Sequence, residues 1–199
     1  MKSSNVIHLN ELLWAFIGLL LTIGGTFLEA FIASPMWSFQ DHLLSLHSLG
    51  VTYQIGGVLL VGCMGGKKAG VLSQIGYLIM GLTWFPVFSQ GGGLGYLKEP
   101  SFGYLLGFIP GAWICGVLAF RFPPRLEFLA LSCLGGLVSI HLTGILYLSL
   151  TELFSWTPES SQQLLNTIIQ YSLFPLPGQL VVACAATVIA YLLRHLMFY

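Results

Sequence analysis

Residues 86–108 read PVFSQGGGLGYLKEPSFGYLLGF, and long apolar runs lie on both sides of them. Four glycines fall within five positions, Gly91, Gly92, Gly93 and Gly95, and a charged pair, Lys98 and Glu99, stands before Pro100. Backbone this rich in glycine resists helix formation, and amides without partners cannot face lipid, so the segment is expected at a membrane surface or around a protein-enclosed cavity. Such a loop lets backbone approach a ligand closely.

Working outward, composition gives the class. The 199 residues are 56% hydrophobic and 7% charged, far from the roughly 25% charge of soluble domains, which indicates a single polytopic membrane domain spanning 1–199. The net charge is zero, so no nucleic-acid partner is expected. Cys63, Cys115, Cys133 and Cys184 lie in apolar runs without CxxC spacing and read as small buried hydrophobes, not as disulfides or metal ligands. The first apolar run lacks a small-residue cleavage site and is expected to remain as a spanning helix.

A bilayer core of about 30 Å needs about 20 apolar residues per helix. Candidates lie at 12–32, 47–66, 69–87, 102–120, 126–150 and 177–197, predicting an all-α membrane protein with six transmembrane helices. The second is strongly apolar only over 51–64, so length alone leaves a re-entrant segment open. The basic residues decide for a crossing. With a cytoplasmic N-terminus, Lys2, Lys67, Lys68, Arg121, Arg125 and Arg194 fall inside and Lys98 alone outside. Both termini are then cytoplasmic. The long connections, 33–46, the glycine-rich segment and 151–174, lie outside, so an outward-facing ligand pocket is expected. In the last of these, Thr157, Pro158 and Glu159 form a helix-start signal, and 162–171 carries apolar residues at helical spacing, suiting a short lid helix.

Polar side chains at membrane depth are costly and are therefore the functional candidates: Glu29, Thr52, Gln54, Gln74, His141 and Gln179. Gln54, Ser101 and Gln179 should share the outer half. Amides supply donors and an acceptor together, which suits a neutral polar head such as a cyclic urea, with Trp84, Phe85, Phe88, Tyr96 and Tyr104 as the wall. GGGLG is followed by no Gly-Lys-Ser or Gly-Lys-Thr, so the chain carries no ATPase of its own. Asp41, His42 and His47 are too loosely spaced for a metal site, no serine nucleophile elbow is present, and no cofactor is implied.

Residues 51–70 (VTYQIGGVLLVGCMGGKKAG), then PVF from Pro86, GGGLGYL from Gly91 and EPSFGYLLGF from Glu99 resemble the BioY family. BioY proteins are biotin-binding S-components of energy-coupling-factor (ECF) transporters. The family pattern is roughly VTLQ-x-x-GVLLAG-x-x-LGPRRG, LPVF and GGLG-x-x-x-GPTGGYLxGF. IHLTGILYL from Ile140 is similar to the family's IYLLGVLWL, with His141 in the usual Tyr place, and LFPLPGQLVVA from Leu173 to its PFLPGDLLKA. The resemblance implies uptake of biotin or a similar small vitamin through an outward pocket, in the bacterial inner membrane. It also implies a transmembrane coupling subunit and cytoplasmic ATPases as partners.

Thr52, Gln54, the Gly91 to Gly95 loop, Pro100, Ser101, Gly103 and Tyr104 match its motifs. The family's acid and Lys at the head of the last helix are here Gln179 and Val182. Losing both avoids a stranded buried charge. Gln179 then takes over the polar head, or Lys98 meets a carboxylate, or the ligand is another neutral-headed molecule. Glu99 and Phe102 replace family glycines, predicting a stiffer loop and a smaller cavity. In such S-components the first helix docks on the coupling subunit through small residues. Here Leu19 breaks the spacing from Ala15, but Gly18, Thr22 and Thr26 form a comparable stripe. Two alternatives remain open: a membrane enzyme using His47, Glu29 or His141 as acid or base, and a structural protein without a ligand.

Overall fold

The computed structural model describes residues 8–34, 45–83, 85–154 and 161–198. Helix α1 (Leu9–Phe27) leads into the antiparallel strands β1 (Glu29–Ser34) and β2 (Ser45–Thr52), and α2 (Gln54–Thr83) follows. A 3-10 helix at Leu94–Lys98 precedes α3 (Phe102–Arg121) and α4 (Leu126–Leu153). The chain then forms α5 (Ser161–Ile168), a π-helical turn (Ile169–Leu173) and α6 (Leu176–Phe198). Lys2, Asp41, His42, Trp84 and the expected cap at Thr157, Pro158 and Glu159 lie outside the described residues.

The strand pair corrects the all-α expectation. Hydropathy extended the first helix through residue 32 and began the second at 47, but α1 stops at Phe27 and α2 starts at Gln54. Between them Leu49 and Val51 alternate inward with Ala30 and pack on Val182. That is the period of a half-buried strand. Glu29 and Thr52, expected in helices, therefore face each other across the ladder.

Helix α2 is two rods. At Gly66 the backbone turns to φ 74, ψ −176, a region that glycine enters without a Cβ clash. The arms 54–65 and 67–83 fold back on each other, because Gln54 of the first hydrogen-bonds Tyr77 of the second at 2.7 Å. Gly62 and Gly70, on either side of the turn, both rest against Ala112 of α3. Among the described residues five helical stretches are long and apolar enough to cross a bilayer, with α2 counted as one.

Lys68 pairs with Glu11 at 3.3 Å, Lys67 packs against Gly116, and Arg194 donates to the Ala119 carbonyl at 2.8 Å. The start of α1, the Gly66 turn, the α3–α4 connection and the end of α6 thus meet at one end of the bundle. The strands and the glycine-rich segment occupy the other. Arg194 was expected among the basic residues of the cytoplasmic side, near the end of the last helix. It is 6% exposed and lies over the Phe120 ring.

The small-residue stripe of α1 faces inward and packs within the bundle. Gly18 stands against Val61 and Ser73, Thr22 accepts from Gln74 at 3.1 Å, and Thr26 is buried. Leu13, Phe16 and Leu20 form the outward face instead. Cys63, Cys115 and Cys133 are buried as expected, but Cys184 is exposed on α6.

Candidate functional site

The glycine-rich segment folds back on the end of α2. Phe88 and Gly91 exchange backbone hydrogen bonds of 2.9 and 3.1 Å, and the Gly93 amide donates to the Gly81 carbonyl at 2.7 Å. Gly91 and Gly93 have φ of 114 and 91, and a Cβ on Gly92 would sit 2.6 Å from the Gly81 carbonyl oxygen. The glycines therefore let the loop dock on its own protein. Gly95, contrary to the expectation of a wholly non-helical segment, lies inside the 3-10 helix.

Docking buries the loop's aromatics. Phe88 is 1% exposed and its ring lies 4.7 Å from Tyr96, whose hydroxyl accepts from Ser101 at 3.1 Å. Phe102, standing where the family has glycine, packs edge-on to Tyr147 at 5.8 Å, and Tyr147 donates to the Leu97 carbonyl. Phe85 is exposed and does not join this wall. Lys98 is exposed beside a small cleft that Glu99, Thr151, Glu152 and Thr167 also line.

Two polar networks lie beneath the loop. In the first, Gln54 donates to the Tyr77 hydroxyl at 2.7 Å and Tyr77 donates to the Val87 carbonyl at 3.0 Å, with Thr26 at 3.4 Å. Tyr77, which the sequence reading did not single out, is fully buried and ties both arms of α2 to the start of the loop. Its only sequence signal is a hydroxyl three positions after Gln74, on the same helical face.

The second network joins α3, α4 and α6. His141 Nε2 donates to Gln179 Oε1 at 2.7 Å, and the His141 ring stands edge-on to Tyr104 at 5.8 Å. Tyr104 shares a hydrogen bond of 2.7 Å with Ser172 and stacks on Tyr171 at 6.0 Å. Tyr171 and Ser172, in the π-helical turn, were also missed, because their partner is 68 residues away for Ser172. His141 Nδ1 is buried and has no hydrogen-bond partner among the described residues. With Nε2–H committed to Gln179, Nδ1 of the neutral ring is an acceptor and the Gln179 amide nitrogen remains a donor.

The first network thus gathers Gln54 near Phe88, Tyr96 and Ser101, and the second gathers Tyr104, His141 and Gln179. Thr52 remains in β2 and Lys98 at the end of the 3-10 helix.

The BioY family model matches residues 4–198. The chain belongs to the BioY family. It is 29% identical over 94% of its length to an uncharacterized 21.2 kDa protein from the psbX–ycf33 intergenic region of Cyanophora paradoxa, covering 95% of that protein. It is 39% identical to a probable biotin transporter BioY of Lysinibacillus sphaericus over 49% of this chain and 50% of that one. The crystal structure of the S-component for biotin from an ECF-type ABC transporter superposes with a TM-score of 0.67, covering 96% of this chain and 95% of the other at 20% identity. That likeness is one of fold.

BioY is a transporter family, so the enzyme reading falls. Its three residues are also spread over unrelated contacts: Glu29 accepts from Ser48, His47 faces Ile32 in the hairpin, and His141 bonds Gln179. Val182, in the place of the BioY motif's Lys, is 3% exposed in an apolar nest with Ala30 and Val51. The acid one helical turn before it is replaced as well, by Gln179.

Proposed function

We infer that this protein is the substrate-binding S-component of an ECF-type transporter and captures biotin for uptake. The observation that carries the ligand reading is the His141–Gln179 pair, with one committed hydrogen bond and a buried acceptor left over. A cyclic urea presents an N–H donor beside a carbonyl acceptor. His141 Nδ1 receives the first and the Gln179 amide nitrogen donates to the second. Tyr104 forms the apolar wall, Tyr171 and Ser172 close over it, and opening of the α5–π segment admits the ligand. Gln54, Thr52, Phe88, the glycine loop, Tyr96 and Ser101 hold the rim, with Lys98 in reach of the carboxylate.

The chain crosses six times, with the two arms of α2 as separate passes and both termini cytoplasmic. Clustering of Lys67, Lys68, Arg121 and Arg125 at one end supports this orientation. The pocket then faces outward. Without a phosphate loop of its own, the chain relies on a transmembrane coupling subunit and cytoplasmic ATPases. The membrane is the bacterial inner membrane.

Titration of the detergent-purified chain with radiolabelled biotin tests the reading. Saturable binding near one per chain, weakened in Gln179→Leu, is expected. Absence of saturable binding in a folded sample overturns biotin as the ligand.

A further inference from the structure

At the end of the bundle that carries the Gly66 turn, three helices each present a thiol to the same point. Cys63 of α2 lies 3.5 Å from Cys115 of α3 and 3.6 Å from Cys133 of α4, sulfur to sulfur, and all three sulfurs fall within 4.8 Å of one another. None is more than 1% exposed. An ion bonded tetrahedrally to thiolates at about 2.3 Å holds their sulfurs about 3.8 Å apart, so the spacing needs only a small adjustment.

A second observation points to the same place. Arg194 reaches in from α6 to the Ala119 carbonyl, one turn of α3 beyond Cys115. Its Nη2 is buried and unpartnered among the described residues, and none of their carboxylates forms a salt bridge with it. A buried cation without an anion is costly.

We propose that Cys63, Cys115 and Cys133 form a thiolate site for one divalent zinc-group ion, with Arg194 as its counter-charge. Each metal–sulfur bond replaces an S–H bond. One ion therefore displaces three protons, and the trithiolate cluster carries a net charge of −1 that the guanidinium neutralises. A monovalent ion would leave a second negative charge unbalanced. Thiolates suit soft ions of this group, and the bound ion pins α2, α3 and α4 together.

The test uses the reduced, detergent-purified full chain and Cd2+ alone as the probe. Expected are one ion per chain, a sulfur-to-metal charge-transfer band, release of about three protons per ion and a higher Tm. Cys63→Ala, Cys115→Ala and Cys133→Ala should each abolish the band, Cys184→Ala should keep it, and Arg194→Met should weaken binding by about 10- to 100-fold. No stoichiometric binding by the unaltered chain, a band that survives Cys115→Ala, or one that disappears in Cys184→Ala overturns the proposal. Should the core variants not fold, the metal and proton counts of the unaltered chain decide it.

Discussion

The hydroxyl of Tyr77 accepts from Gln54 and donates to Val87, whereas the imidazole of His141 is held at Nε2 by Gln179 and has no hydrogen-bond partner at Nδ1 among the described residues. Both rings are buried in the same half of the bundle. One network closes on the protein and the other stops one partner short. A closed network contributes rigidity, because breaking it leaves a desolvated polar group behind. An open one keeps hydrogen-bonding capacity for a ligand, so polarity at membrane depth does not by itself mark a binding residue.

The comparison can be broken by substitution. The largest effect is expected for Tyr77→Ala, which removes a fully buried ring and should cost about 3–5 kcal/mol of stability, read as a lowered midpoint of thermal unfolding. Near-neutrality would remove Tyr77 from the structural core. Next comes Gln179→Leu, which should weaken biotin binding by about 1–3 kcal/mol in a titration of the purified chain. Unchanged affinity would take Gln179 out of the site. Tyr77→Phe sharpens the contrast, because it should cost about 1–3 kcal/mol of stability by stranding the Val87 carbonyl while leaving biotin affinity in the folded fraction intact. A loss of affinity equal to that of Gln179→Leu would mean the two networks act as one. The smallest effect belongs to Lys98→Ala. Because Lys98 is exposed, biotin should bind less tightly by about fivefold at most and its amide should be unaffected, and equal losses for both would exclude a carboxylate contact.

Some of this architecture could be read in the chain. The apolar run beginning at Phe102 is bounded by Pro100 and Arg121, and α3 occupies Phe102–Arg121. The pair Lys67 and Lys68 marked the turn that Gly66 makes. The strands could not be read this way, because Leu49, Gly50 and Val51 continue an apolar stretch whose period changes only where Ala30 and Val182 cover it. The glycine-rich segment was legible as a loop, but its glycines serve its docking on Gly81 and Phe85. Tyr77 was invisible as a hub, since its partners Gln54 and Val87 lie 23 and 10 residues away.

By itself the sequence determined a membrane protein of long apolar helices, the polar residues held within them and the BioY motifs, because the scarcity of charge and the length of the apolar runs are properties of the chain alone. Only the tertiary structure decided which of those polar groups satisfy one another, which acceptors remain among the described residues, at His141 and Gln74, and that three thiols far apart in the chain meet beside a buried arginine. Those are facts about distances across helices, and nearest-neighbour sequence carries no record of them.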